Sequence, residues 1–216
     1  MQAALAALGA PDGAMELIVM QFVNLIERGE RSSFSKRRGD FVTLDDLIAA
    51  IGVDAMRFFM LQRSHDTTVD LDLDLAREQT SENPVYYVQY AHARIASILK
   101  KAGDARVRAA LDEAARFAGA LQAPERTLVK KLLAFPDEVA EATAKRAPHR
   151  IAAYAVELAQ TFTAFYRDCQ VVGAEGDGVE SLRLGLSVAT KRTIARALSL
   201  LGVGAPEQMS RDPQDS

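Results

Sequence analysis

The 216-residue sequence is poor in the residues that staple or metallate small folds. It has one cysteine, Cys169, and three histidines, His65, His92 and His149. A single cysteine closes no internal disulfide, so a reducing cytoplasm is the expected home. The cysteine and histidines show none of the spacings of a zinc site. No uninterrupted apolar run reaches the roughly 18 residues of a membrane span. The apolar start, MQAALAALGAPDGAMEL, lacks the charged leading region of a signal peptide. No membrane partner is expected, and there is neither a fixed-period repeat nor a low-complexity tract. Net charge is −3, with 49% hydrophobic and 25% charged residues, ordinary for a globular chain. A small negative total does not advertise a nucleic-acid binder, so the distribution of charge carries more than its sum. Residues 66–82 hold Asp66, Asp70, Asp72, Asp74, Glu78 and Glu82 against Arg77, whereas residues 180–201 hold Arg183, Lys191, Arg192 and Arg196 against Glu180.

The hydrophobic pattern divides the chain. Residues 16–26 (ELIVMQFVNLI) are nearly continuous in apolar character and predict a buried strand. A turn at Arg28-Gly29-Glu30 leads into a cationic, hydroxyl-bearing loop, Ser32–Asp40. Thr43 with Asp46 three residues on predicts a capped helix start, and Gly52 a stop. Residues 54–63 predict a second short helix, and the alternation of residues 69–75 (VDLDLDL) a short strand with one wet face. Beyond Glu78 helical spacing takes over. One helix stops near Gly103, an alanine-rich one covers 106–121, Pro124 separates it from 125–135, and Pro136 begins another. Pro148 opens a long helix to about Asp168. The last helix spans 180–201, with Gly202 as its cap and Val203 placed for the accompanying apolar contact. The expected fold is therefore mostly α. Residues 1–80 read as the end of an α/β domain with too few strands to close a sheet alone, and residues 83–216 as an antiparallel helical bundle.

Lysine and arginine beside backbone amides and hydroxyls, as in Ser35-Lys36-Arg37-Arg38-Gly39, suit phosphate. A mobile loop of this kind can close over a triphosphate and stabilise charge on leaving pyrophosphate; it can equally be a solvated turn or a general nucleic-acid contact. In the helix that starts ENPVYYVQYAHARI, Tyr86, Tyr90 and Arg94 are spaced i, i+4, i+8 along one face, with Val88, Ala91, Ile95 and Ile98 pointing elsewhere. Such a ridge suits unstacked RNA bases, at roughly 1–3 kcal/mol per stack; alternatively the tyrosines pack on the bundle with hydroxyls at its rim. Arg183, Lys191, Arg192 and Arg196 either neutralise phosphates or form a solvated helix face. Arg196, in the last turn, is read as serving the helix dipole. Asp70, Asp72 and Asp74 read as a wet strand face rather than a metal site. Cys169 is expected to be buried, Phe162, Phe165 and Tyr166 to be core first and an RNA platform second, His65 a cap or interface residue, and His92 a helix-surface residue beside the tyrosine ridge.

A family resemblance builds on these residues. Ser35-Lys36-Arg37, with Gly39 and Phe41-Val42-Thr43-Leu44-Asp45-Asp46-Leu47-Ile48, resembles the Lys-Met-Ser-Lys-Ser signature of class I aminoacyl-tRNA synthetases, and most closely its form in arginyl-tRNA synthetases. Gly52-Val53-Asp54-Ala55-Met56-Arg57, Asp70–Ala76, Glu82–Ile95 and Leu200–Met209 are similar to that family's downstream segments. The resemblance covers nearly the whole chain, most specifically residues 35–95. It implies ATP-dependent joining of arginine to its tRNA through an arginyl-adenylate, with Mg²⁺ accompanying ATP and no resident metal or organic cofactor. It implies that Ser35, Lys36 and Arg37 bind ATP phosphates, with Lys36 the catalytic residue for transition-state charge. It also implies that the helical part, with Tyr86, Tyr90, Arg94, Lys191 and Arg192 as candidate contacts, binds tRNA(Arg) at the anticodon, and that residues after the last helix reach the anticodon loop. Ser33 and Phe34 stand where the family has its first lysine and its methionine; Arg31 is the candidate to supply the lost charge. The family's other signature, His-x-Gly-His, matches none of the three histidines. The chain thus looks like a C-terminal part, monomeric and inactive alone, whose partners are tRNA(Arg) and an N-terminal catalytic portion. The alternative is a stand-alone RNA-binding helical module without catalytic activity.

Overall fold

The computed structural model describes residues 1–11, 13–31, 42–117 and 119–209. The Ser35-Lys36-Arg37 loop lies outside the described residues. Among those described, helix α1 (Gln2–Ala7) comes first, followed by strands β1 (Val23–Glu27) and β2 (Glu30–Arg31), helix α2 (Leu44–Leu61), strand β3 (Val69–Asp72) and helix α3 (Leu73–Arg77). Helices α4 (Pro84–Ala102), α5 (Asp104–Glu113), α6 (Ala123–Leu133), α7 (Phe135–Ala144), α8 (His149–Asp168) and α9 (Val179–Leu201) follow, with a 3₁₀ turn at Ala114–Arg116 after α5.

The sheet order is β2-β1-β3: β1 pairs antiparallel with β2 and parallel with β3, with Leu25 opposite Leu71. Both leucines are buried, and they carry the sheet's inner face. The predicted strand over residues 16–26 is shorter than expected. Only Val23–Ile26 of that run is paired, while Leu17, Ile18, Val19, Met20 and Phe22 are exposed. An apolar run predicts burial only where a second layer covers it, and among the described residues no layer covers this one.

The start of α2 follows its sequence cue. The Asp46 amide donates to Thr43 Oγ1 at 3.1 Å, and the Thr43 amide donates back to the Asp46 carboxylate at 2.9 Å, a reciprocal capping box. The Thr43 hydroxyl also donates to that carboxylate at 2.6 Å, and this bond first, then the one from the Thr43 amide, holds the Asp46 carboxyl below its ordinary pKa. Gly52 (φ 80°, ψ 160°) breaks the helix as expected, but the chain resumes helical geometry at once, so α2 is two helices joined at a kink. The alternation predicted as strand through residue 75 stops at Asp72, because its carboxylate accepts from the amides of Asp74 and Leu75, both at 3.0 Å, and caps α3 instead. The acidic ladder is spoken for locally. Asp70 takes the Asn24 amide at 2.7 Å and the Arg31 guanidinium at 3.3 Å, and Asp74 accepts the Arg28 amide at 2.6 Å. Arg31 is thus engaged with Asp70.

In the helical part, Asn83 caps α4 and Pro84 occupies its first turn. The alanine-rich helix predicted to residue 121 ends at Glu113, and Pro124 lies inside the first turn of α6 rather than before it. Helix α9 is the hub, packing on α4, α5, α6 and α8. That centrality buries polar side chains too. The Ser187 and Thr190 hydroxyls donate to the carbonyls four residues back, each at 2.8 Å. α9 closes as predicted: Gly202 is left-handed (φ 69°), the Val203 amide donates to the Leu198 carbonyl at 2.9 Å, and Val203 is buried. One contiguous core runs from Leu25 and Phe58 through Ile95, Phe162 and Ile194 to Val203.

Candidate nucleic-acid interface

Helix α4 has two unlike faces. Val88, Ala91, Ile95 and Ile98 are buried, as their spacing predicts. Tyr86 and Tyr90 are half-buried one turn apart, with rings nearly parallel (12°) and centroids 6.1 Å apart. Arg94 continues the ridge and is exposed, but its guanidinium lies 5.0 Å over the ring of Tyr166 on α8 rather than over Tyr90. Tyr166 in turn stacks on buried Phe162 at 6.1 Å. Phe162 and Phe165 are core, and Tyr166 alone of the three reaches the rim. The predicted ridge is therefore a strip over two helices, cemented by an arginine.

Beside the strip lies a groove of about 750 Å³. One wall is α4, with Tyr90, Arg94, Lys100 and Lys101; the other is the segment after α9, with Glu207, Gln208 and Met209. A second groove of about 540 Å³ lies across that segment, where Lys191 and Arg192 of α9 join His92 and Lys100. The two grooves share Lys100 and Glu207. Lys191 is not free: its ammonium donates to the Glu207 carboxylate at 2.6 Å. Arg192 is exposed. A cationic, partly aromatic concavity of this kind can bind a phosphodiester strand and stack an unpaired base.

Two readings of the sequence are corrected by the structure. His92 is not on the helix surface; it is 2% exposed, and its Nδ1 lies 2.8 Å from the Pro206 carbonyl, so Nδ1 carries the proton and donates. Arg183 does not face phosphate. It is buried, its Nε donates to the Glu125 carboxylate at 2.7 Å, and another guanidinium nitrogen donates to the Gln170 carbonyl at 2.8 Å. Glu125 closes the other side of this junction by accepting the Gln122 amide at 2.7 Å. Arg196 is exposed, and His65 places its imidazole 3.3 Å from Asp66. Cys169 is buried as expected. Sequence reasoning did not single out Lys100 and Lys101. Their signal was paired cations in the last turn of α4, which also complement the helix dipole. Among the described residues no group of three or more metal-ligating side chains comes together, and no helix is long and apolar enough to cross a membrane.

Residues 88–209, which contain both grooves, match the model of the DALR anticodon binding domain. The chain belongs to that family. Over 97% of its length it is also 47% identical to an arginine–tRNA ligase of Desulforudis audaxviator (strain MP104C) and 44% identical to one of Bacillus subtilis (strain 168). It spans 37% of the length of each of these relatives. Among solved structures, one described as an arginyl-tRNA synthetase from Campylobacter jejuni superposes with a TM-score of 0.83 at 31% identity, covering 97% of this chain and 44% of that one. The Thermus thermophilus arginyl-tRNA synthetase gives 0.63 at 29% identity, covering 88% of this chain and 35% of that one. The resemblance drawn from the sequence over nearly the whole chain is matched by relatives that align with 97% of it.

Proposed function

We propose that this chain is the C-terminal part of an arginine–tRNA ligase of the cytoplasm. In this reading residues 83–216 are a helical anticodon-binding domain for tRNA(Arg), and residues 1–80 belong to the catalytic domain. The observation that carries the RNA reading is the aromatic–cationic groove between α4 and the segment after α9, lying within the matched family region. Tyr90 offers a face for an unstacked base, and Arg94, Lys100, Lys101 and Arg192 offer charge for the phosphates.

Ser35, Lys36 and Arg37 hold the triphosphate of ATP, accompanied by Mg²⁺, while arginine attacks the α-phosphorus. Pyrophosphate leaves as arginyl-adenylate forms, and the tRNA then takes the arginyl group and releases AMP. Lys36 contributes by stabilising charge on the departing pyrophosphate. The exposed apolar run Leu17–Phe22 supports a catalytic portion packed against this side, since contiguous apolar surface of that kind marks an interaction face. The working unit is monomeric, with tRNA(Arg) and that catalytic portion as its partners.

The test is a gel-shift series with transcribed tRNA(Arg) and a transcript altered in the anticodon loop. The chain is expected to bind the first at low salt and to bind the second more weakly; no shift with either transcript would overturn the RNA reading. Adding the chain to a catalytic fragment from a relative and measuring aminoacylation addresses the loop. Activity restored by the wild type and lost with Lys36→Ala supports the ligase role, whereas RNA binding without restored activity favours the stand-alone module.

A further inference from the structure

The segment after α9 leaves helical hydrogen bonding at Gly202, yet it is held at three points along its path, Leu201, Gly204 and Pro206. Arg57 Nε donates to the Leu201 carbonyl at 2.8 Å, and the Gly204 amide donates to the Asp54 carboxylate at 3.1 Å. The Gln89 side-chain amide donates both to the Gly204 carbonyl (3.0 Å) and to the other Asp54 oxygen (2.8 Å), tying helix, tail and α2 into one ring of bonds. Two residues on, His92 Nδ1 donates to the Pro206 carbonyl. The next three residues, Glu207–Met209, line the groove wall. Asp54 and Arg57 belong to the second half of α2, directly after the Gly52 kink, and neither lines the groove itself.

We infer that Asp54, Arg57, Gln89 and His92 are positioning residues for RNA recognition: they fix residues 202–206 as a strap, and the strap sets the distance between Met209 and Tyr90 and so the width of the groove. The inference rests on the RNA reading above and adds what determines its selectivity. A strap with no helical bonds of its own would otherwise sample many positions, and RNA would have to order it on binding. The latch orders it beforehand, which is how preorganisation turns contacts into affinity and discrimination. It also joins α2, the helix that follows the Ser35-Lys36-Arg37 loop, to the wall that reads RNA. Gly204 suits this close approach, since a Cβ there would sit 3.0 Å from the Asp54 carboxylate.

The experiment compares Asp54→Ala, Asp54→Asn and Gln89→Leu with the wild type in full-length chain. Each is titrated with transcribed tRNA(Arg) and with the anticodon-loop variant across a salt series, at a temperature where circular dichroism shows every protein folded. With the wild type discriminating, D54A and Q89L are expected to lose about tenfold in affinity for the native transcript, with the ratio between transcripts falling toward one. The salt slope is expected to stay unchanged, because the phosphate-facing cations remain. D54N keeps an oxygen for the Gly204 amide and is expected to retain most of the discrimination. If D54A fails to fold, Q89L alone carries the comparison, since it removes one amide from a helix that keeps its own bonds. Undiminished discrimination in Q89L and D54A would overturn the inference while leaving the RNA reading intact. A wild type that binds neither transcript would overturn both.

Discussion

The guanidinium of Arg57 occupies the space that a side chain on Gly202 would need. A Cβ at residue 202 would come within 2.4 Å of Arg57 Nε, the atom that donates to the neighbouring Leu201 carbonyl. Gly202 also has φ 69°, a conformation that costs an L-residue about 1–2 kcal/mol. Gly202→Ala therefore meets two penalties at once, and it is expected to lower unfolding free energy by at least about 1–2 kcal/mol in urea titration. A change below about 0.5 kcal/mol would mean that neither the close approach nor the backbone matters.

The Arg183–Glu125 pair gives a second prediction. Both side chains are buried, and each makes a further hydrogen bond to backbone. Removing one partner strands a charge away from water. Arg183→Met and Glu125→Leu are each expected to cost about 3–5 kcal/mol, and the double variant much less than their sum. Additive losses in the same urea titrations would contradict coupling between the two residues.

Cys169 should behave as an inert thiol. Burial, the largest influence, pushes its pKa above the ordinary thiol value, against a weaker opposing pull from Arg183. The thiol is 1% exposed and faces the Gln122 side-chain oxygen at 3.6 Å. Modification by an aromatic disulfide reagent at pH 8 is expected to follow global unfolding, with fast labelling only in denaturant. Rapid labelling of the native protein would place the thiol at the surface.

Tyr154 supplies a pH dependence. Its hydroxyl donates to the Lys131 carbonyl at 2.8 Å, and burial first, then the Glu138 charge, pushes the phenol above its ordinary value of 10.0. The folded state thus holds its proton to higher pH than the unfolded state. This contribution is complete below about pH 10, where tyrosine is neutral in the unfolded chain, and it is lost as pH climbs from there through the folded value. Stability measured between pH 9 and 12 should fall more steeply for the wild type than for Tyr154→Phe; parallel curves would show that this phenol does not carry the effect.

Lys191 and Arg192 are neighbours with unequal prospects. Lys191 already faces the Glu207 carboxylate at 2.6 Å, and Arg192 is exposed beside the second groove. If that groove follows the phosphate backbone, Arg192→Ala should reduce the salt slope of tRNA binding by about 0.7, the value for one single-strand phosphate. Lys191→Ala, which removes a compensated charge, should change it little. The reverse ranking would place the RNA track on the Lys191 side.

What the sequence made legible was local. Thr43 with Asp46 and Gly202 with Val203 act through hydrogen bonds a few residues apart, Gly52 breaks its helix through its own backbone conformation, and each stands where the local pattern predicts. The candidate contacts Tyr86, Tyr90 and Arg94 share a strip for the same reason, because helical spacing alone aligns them. What spacing could not convey was which surfaces other elements cover. Arg183 and His92 look like surface residues on their own helices, but α9 is wrapped on several sides, and the strap closes over His92. Arg94 aligns with Tyr90 in sequence yet leans on Tyr166, more than seventy residues away. The run Leu17–Phe22 errs in the opposite sense, since its composition is that of a core strand while its apolar side chains are exposed.

The most direct test of the proposed interface is to ask which protein residues the anticodon loop touches. A tRNA(Arg) transcript carrying 4-thiouridine in that loop, bound to the full-length chain and irradiated, is expected to crosslink to peptides containing Tyr90–Lys101 and Glu207–Met209, the two walls of the groove. Crosslinks from bound transcript confined to α6 and α7, with none in either wall, would contradict the account.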